Sequence, residues 1–426
     1  MNTAAKNNGR LELECAGKFI AMRAPGYCGK ASMAIILLFC MSPGREQAIA
    51  QGSAASPTGL PAVIRKFPLT RFYDTGDPLP RGQPGELIRS AKFTEYQLPL
   101  TVSAVRLIYH SRSADGDDVA ASAVVLFPDG EAPAGGWPVI AWAHELNGVA
   151  RHCAPSLSQT LSHGPFLSMY VQLGYAIVAT DYTGLGTRFR NAFADLSANA
   201  LDVVYSVSAA RQALPGLDRR WVAMGTGEGA MAAIAVAELE QPIQQPNYLG
   251  SITRSPLADF EDLLDSPSAL SYKWPLLFAY GIKTVFPQFQ LNSLLSDKGL
   301  LLYPEIENTC SEPGALRESS AMGIVRPNWK TANLVQKYLS RNHVGLKPAS
   351  APLLVLGSGV DASVAETAKV VRRLCKKGDR VQFHTYPESD PGRVIGDSVR
   401  DQITWIQARF RTSSAPTNCS QMLGMP

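Results

Sequence analysis

An α/β fold, in which a mostly parallel sheet is covered by helices on both faces, is predicted by three features of this 426-residue sequence. Short apolar runs rich in β-branched residues alternate with helical patterns. The runs are apolar throughout rather than at every second position, and a glycine-rich turn joins one of them to a helix of small residues. With 46% apolar and 18% charged residues, the chain has enough material for a sizeable core and is not intrinsically disordered.

The first 50 residues read as targeting sequence. Arg23 and Lys30 supply positive charge, Ala31–Met41 is a short apolar run, and Ala48-Ile49-Ala50 has the small-x-small form of a signal-peptidase site, so cleavage is expected after Ala50. Residues 51–69 form a linker that opens on a Ser/Pro/Gly-rich stretch; the folded domain is expected over 70–419, with a tail at 420–426. Along that domain, Ala123–Phe127, Val139–Trp142, Ala176–Thr180 and Trp221–Met224 have strand character, and Ala198–Leu214 and Gly229–Leu239 have helical character. Residues 256–345 then break the alternation, because five prolines from Pro256 to Pro304 cut an apolar, aromatic stretch into short helical pieces. This helical insertion is expected to cap a ligand crevice, with Trp274, Phe278, Tyr280 and Phe286 lining it. Strands resume at Leu353–Leu356 and Val381–Tyr386, and helices at Ala362–Lys376 and Asp397–Phe410.

Charge and cysteine usage narrow the function classes. The net charge of +4 falls to +1 without the first 50 residues, which hold six Lys/Arg and three Asp/Glu, so no basic footprint for nucleic acid remains. No run reaches the roughly 18 uninterrupted apolar residues of a membrane-spanning helix. Cys153, Cys310, Cys375 and Cys419 follow the presequence, an even number without a CxxC pair, which favours two disulfides in an oxidising compartment over a zinc site. Spacing alone leaves all three pairings open.

The sharpest motif is Trp221-Val-Ala-Met-Gly225-Thr226-Gly227-Glu228-Gly229-Ala230. It has the strand–turn–helix context and outer glycines of the nucleophile elbow G-x-S-x-G, but glycine stands at the centre, where nothing can attack a carbonyl. No other G-x-S-x-G occurs. His144-Glu145 is not a zinc-protease pair, since the second histidine of H-E-x-x-H would fall at Gly148. No phosphate-binding or dinucleotide loop opens a helix, so neither a cofactor nor a metal is expected.

Around this elbow the sequence resembles the secretory lipases, α/β-hydrolases similar to fungal lipase A. The resemblance rests on short segments in order across residues 70–419: Phe72-Tyr73, Pro84-Gly85-Glu86-Leu87, Val139-Ile-Ala-Trp-Ala-His144, Cys153-Ala-Pro-Ser156, Gly174 to Thr187 with Asp181-Tyr182-Thr-Gly184, Arg220-Trp221, Leu374-Cys375, Tyr386-Pro387 and Ala415-Pro-Thr-Asn-Cys419. It implies a Ser-Asp-His triad in that chain order. Its nucleophile position is Gly227 and its acid position is Asp361; its base position falls on Pro391 in Tyr386-Pro387-Glu-Ser-Asp390-Pro391-Gly392. It also implies the pairings Cys153–Cys310 and Cys375–Cys419, and an oxyanion region formed around His144, Glu145 and Glu228, where the family usually has His-Gly and a glutamine.

Loss of a triad nucleophile or base costs about 10⁴- to 10⁶-fold in turnover, and loss of both costs little more. The sequence therefore predicts an exported pseudo-enzyme, secreted or periplasmic, that binds an apolar or acyl ligand or a partner protein where the active site once was. The alternative is a working carboxylic ester hydrolase with an unrecognised nucleophile.

Overall fold

The structure, a computed structural model, describes residues 65–424 apart from 240–246, 266–272, 311–322, 360–362 and 390–391. The expected targeting segment lies outside the described residues. The sheet runs β1 (Leu87–Lys92), β2 (Val102–Arg112), β3 (Asp118–Pro128), β4 (Trp137–Ala143), β5 (Ala176–Thr180), β6 (Leu217–Thr226), β7 (Tyr248–Arg254), β8 (Leu353–Ser358) and β9 (Val381–Tyr386). In space the order is β1-β2-β3-β5-β4-β6-β7-β8-β9. The β1–β3 strands are antiparallel, as is the β3–β5 pair, and the six strands from β5 to β9 are parallel.

The helices are α1 (Gly164–Gln172), α2 (Leu196–Ala213), α3 (Glu228–Glu238), α4 (Phe260–Asp265), α5 (Lys273–Val285), α6 (Asp297–Leu302), α7 (Asn333–Arg341), α8 (Ser363–Lys376), α9 (Val394–Asp397), α10 (Val399–Phe410) and α11 (Cys419–Leu423). Side chains of α2 and α3 pack on one face of the sheet, and those of α1 and α10 on the other. The central strands are covered on both sides, which is why they read as unbroken apolar runs. The chain leaves β4 for β5 on one side and returns to β6 on the other, so the turns after β4 and β6 lie together at a reversal of strand order. Ligand crevices of open α/β sheets form at such reversals.

Three strands, β1, β2 and β7, and helix α1 carry no clear signal in the sequence. In β2 a buried Arg106 lies 3.3 Å over the Phe93 ring and donates to Tyr96 Oη and Ser156 O, so the charge that obscures the strand is satisfied internally. In β7, Gly250, Ser251, Thr253 and Arg254 interrupt the apolar pattern although Ser251 to Arg254 are all buried. The inserted segment therefore follows β7 and precedes β8.

Helices α4–α7 of that segment share one cluster with Leu146 after β4, Phe193 and Ala194 before α2, and Met231 in the first turn of α3. The insertion thus covers the carboxyl end of the sheet. Of the aromatic residues expected to line that crevice, Phe278, Tyr280 and Phe286 are buried, Phe278 against Phe260 and Phe193 with ring centroids 4.9 and 5.4 Å away and Tyr280 beneath Arg190, and Trp274 packs on Phe193 with ring centroids 5.7 Å apart. The largest side chains of the insertion are thus shared with the loop that enters α2.

Both ends of the domain extend beyond the expected limits. Phe67, inside the expected linker, is buried against Phe93 and Tyr96. At the other end Met422 of α11 is buried, and Asn418 pairs with the outer edge of β9: its N–H donates to Val381 O, its Oδ1 accepts from Phe383 N–H and its Nδ2 donates to Phe383 O. Two disulfides form, Cys153–Cys310 and Cys375–Cys419. The second closes a 44-residue separation and contributes about 4 kcal/mol in the chain-entropy model.

Candidate active site

Strand β6 ends at Thr226 and α3 begins at Glu228, so one residue makes the reversal: Gly227, at φ 56° and ψ −120°. The two flanking glycines explain why the chain is held there. A Cβ at Gly225 would lie 2.0 Å from Gly229 O, and a Cβ at Gly229 would lie 2.0 Å from Ala143 O. No side chain fits at either position, and their absence lets β4, β6 and the start of α3 meet backbone to backbone. At Gly227 the situation is reversed, because a Cβ there would meet only Glu145 Cβ, at 3.4 Å. The Gly227 N–H donates to Arg254 O at 3.2 Å. The elbow is shaped by its neighbours and by the backbone of residue 227, and needs no side chain there.

The carboxylates expected near the oxyanion region part company. Glu228 is buried and turned towards α2, where its Oε1 accepts from Ala194 N–H and Asn199 Nδ2, both at 3.0 Å. Burial pushes its carboxyl up to about 7 against the pull of those two donors. Glu145 faces the elbow instead, with its Oε1 3.3 Å from His163 Nε2 and its side chain 28% exposed. Burial acts to raise its pKa, but His163 and the Arg254 charge together hold the carboxyl below the usual range. Of the two, Glu145 is the carboxylate that a bound ligand would meet.

His144 is tied into the scaffold. Its Nδ1 lies 2.5 Å from Glu145 O and its Nε2 3.1 Å from Asp181 O, the ring stacks on Tyr182 at 4.4 Å, and Tyr182 Oη donates to His144 O. Burial pushes its pKa down. The imidazole fixes the loop after β4 rather than reaching the elbow. His384 is engaged elsewhere too, with Asp401 at 3.0 Å and Gln382 at 2.9 Å.

Asp361 and Pro391 lie outside the described residues. The stems of their two loops meet, since Ser358 Oγ and Gly359 N–H both donate to Ser389 O. Cys153, in the segment that follows β4, is bonded to Cys310 of the insertion, whereas Cys375–Cys419 ties α8 to the tail.

Sequence reasoning missed Arg254. It closes β7 beside the elbow, is fully buried between Trp142 and Phe166 at 5.2 and 4.8 Å, and none of its side-chain nitrogens has a hydrogen-bond partner among the described residues. Burial pushes its pKa down to about 10, with Tyr170 and Glu145 opposing. Nothing in Ser-Ile-Thr-Arg254-Ser marks it in advance.

This strand order, with a strand–glycine turn–helix elbow and a second loop beside it at the switch point, defines an α/β-hydrolase fold. The solved structures agree on the fold. Lipase A of Candida antarctica superposes with a TM-score of 0.66 at 17% identity, over 83% of this chain and 92% of that one. The rice cell wall degrading esterase LipA of Xanthomonas oryzae gives 0.61 at 18%, covering 78% and 98% of the two chains. A putative hydrolase of Legionella pneumophila gives 0.60 at 16%, covering 77% and 99%. No protein-family model matches the sequence, and no curated protein does.

Proposed function

We propose that this chain is an exported relative of the secretory lipases that keeps the frame of an ester hydrolase without its reacting groups, and that it binds an apolar or acyl ligand, or a partner protein, at the crevice above Gly227. The observation that carries this reading is the Gly227 backbone. It holds the conformation of a nucleophile elbow while offering no nucleophile, and the flanking glycines maintain that shape independently of any chemistry. Export is supported by the presequence pattern and the two disulfides. No helix among the described residues is long and apolar enough to cross a membrane.

The rate consequence is large. Without serine and histidine, the residual acceleration is roughly 10³-fold over water, from binding and oxyanion contacts alone. Labelling of the purified protein with a fluorophosphonate tests the reading directly, and no serine is expected to react. Stoichiometric labelling would replace this reading with that of a working serine hydrolase. Repair should require two changes. Gly227→Ser and Pro391→His are each expected to be silent on short-chain p-nitrophenyl esters, and the double variant should gain activity beyond their sum, because nucleophile and base act as a unit.

A further inference from the structure

The two ends of the sheet are finished differently. Strand β9 is met along its outer side by Asn418, whereas β1, at the opposite end, has no such cover over its second half. In the first half of β1, Leu87 N–H donates to Gln212 Oε1 and Arg89 Nη1 donates to Arg71 O and Phe72 O. Ser90, Ala91 and Lys92 are exposed.

The ladder with β2 fixes which way their backbone groups point. Ala91 lies opposite Arg106 and Lys92 opposite Val105, and one step further Phe93 N–H donates to Ala104 O. Hydrogen-bonded and non-hydrogen-bonded pairs alternate along an antiparallel ladder, so Ala91 bonds inward to β2, and the N–H and C=O of Ser90 and Lys92 point outward. Those outward groups make no hydrogen bond among the described residues. Such an edge is a template for another strand.

A second feature lies at the same corner. Lys92 lines a cleft of about 420 Å³ with Phe93, Leu98, Val102 and Phe127, and Leu100 beside them is fully exposed. Lys92 and Asp129, both in the lining, have no ion pair among the described residues. The face thus offers apolar surface together with one unpaired charge of each sign, which is what a self-complementary contact requires.

We propose that this corner is the docking surface for a second copy of the chain, with the two β1 edges paired antiparallel about a two-fold axis at Ala91. In that register Ser90 faces Lys92 of the second copy, and each such pair exchanges N–H···O bonds in both directions. Ala91 faces its own counterpart at the closely spaced position, where a small side chain fits, and the two Lys92 ammonium groups stay apart. The cleft and Leu100 supply the apolar area that so short a strand pair lacks.

Sedimentation velocity of the full, oxidised protein from low to high micromolar concentration tests this, and a reversible dimer is expected. Ser90→Pro removes an outward N–H that the β1–β2 ladder does not use, so it should weaken the dimer about tenfold or more. Ala91→Lys and Ala91→Glu, both at an exposed side chain and so independent of whether the proline variant folds, each place like charges opposite one another and should also weaken it about tenfold or more. An equimolar mixture of those two variants should recover association to within about threefold of the original, as a heterodimer. A monomer throughout the range, a dimer left intact by Ser90→Pro and by both Ala91 variants, or a mixture of the charged variants that stays monomeric would each overturn the proposal.

Discussion

The elbow and the base of the inserted segment lie at the same end of the sheet and are held by opposite means. At the elbow, Gly225 and Gly229 fix the chain because no atom beyond the backbone fits. At the base of the insertion, side chains do the holding: Arg373 binds both oxygens of Asp259 at 2.7 and 2.8 Å and donates to Ala258 O, Lys369 binds Asp262 and Glu366, and His343 reaches Glu261 at 3.0 Å. Contact between backbones does not depend on the side chain of residue 227, so the elbow keeps its shape with glycine at its centre. Contact between charged side chains responds to pH, salt and single substitutions.

The strongest way to break this contrast is Gly229→Ala. Its Cβ would have to displace Ala143 O, a backbone atom of β4, so a loss of about 3 kcal/mol or more in denaturant unfolding is expected. A loss below about 1 kcal/mol would mean that the elbow relaxes easily and that its shape is not imposed by packing.

Glu228→Gln comes next. The folded carboxyl is raised to about 7 from an ordinary value of 4.5. Its contribution to stability is therefore fully present below the unfolded value and is lost as pH rises through the folded one. The variant keeps the acceptor for Ala194 and Asn199, so above pH 7 it should be the more stable protein, by up to about 3 kcal/mol, and the two should converge near pH 4. Parallel stability–pH curves for the two proteins would refute the buried, raised carboxyl.

Gly227→Ser sharpens the comparison from the other side. There is room for the side chain, so the expected cost is only the left-handed backbone, about 1 kcal/mol. A collapse comparable to that of Gly229→Ala would show that residue 227 carries packing after all.

The smallest effect belongs to His343. Glu261 and Asp259 raise its pKa, so its contribution is present below the unfolded imidazole value and is lost as pH rises through the folded one. His343→Ala should cost less than about 1 kcal/mol at pH 5.5, less still at pH 8.5, and less in high salt. A cost that grows with pH would contradict the ion pairs.

The sequence revealed structure wherever a residue's environment follows from its immediate neighbours. Strands β5 and β9 match their expected limits, and the elbow motif lies between β6 and α3, because apolar runs and glycine spacing are local signals. Strands β2 and β7 were hidden by Arg106 and Arg254, whose burial depends on aromatic rings distant in sequence. The direction of Glu228 likewise depends on Asn199 in another helix, so charge alone could not tell it from Glu145. The aromatic residues of the insertion were legible as apolar, but their packing into an interior required the fold.

The tail carries a further consequence. Strand β9 is the last in the sheet, and along its free side the chain is met by Asn418, next to a cysteine bonded to α8. Oxidation of Cys375 and Cys419 thus keeps a sheet edge covered that would otherwise be a template for other strands. A chain kept in a reducing compartment would have the same strands but would hold this cover by Asn418 and the packing of Met422 alone. Its tendency to self-associate would then record where in the cell it had folded.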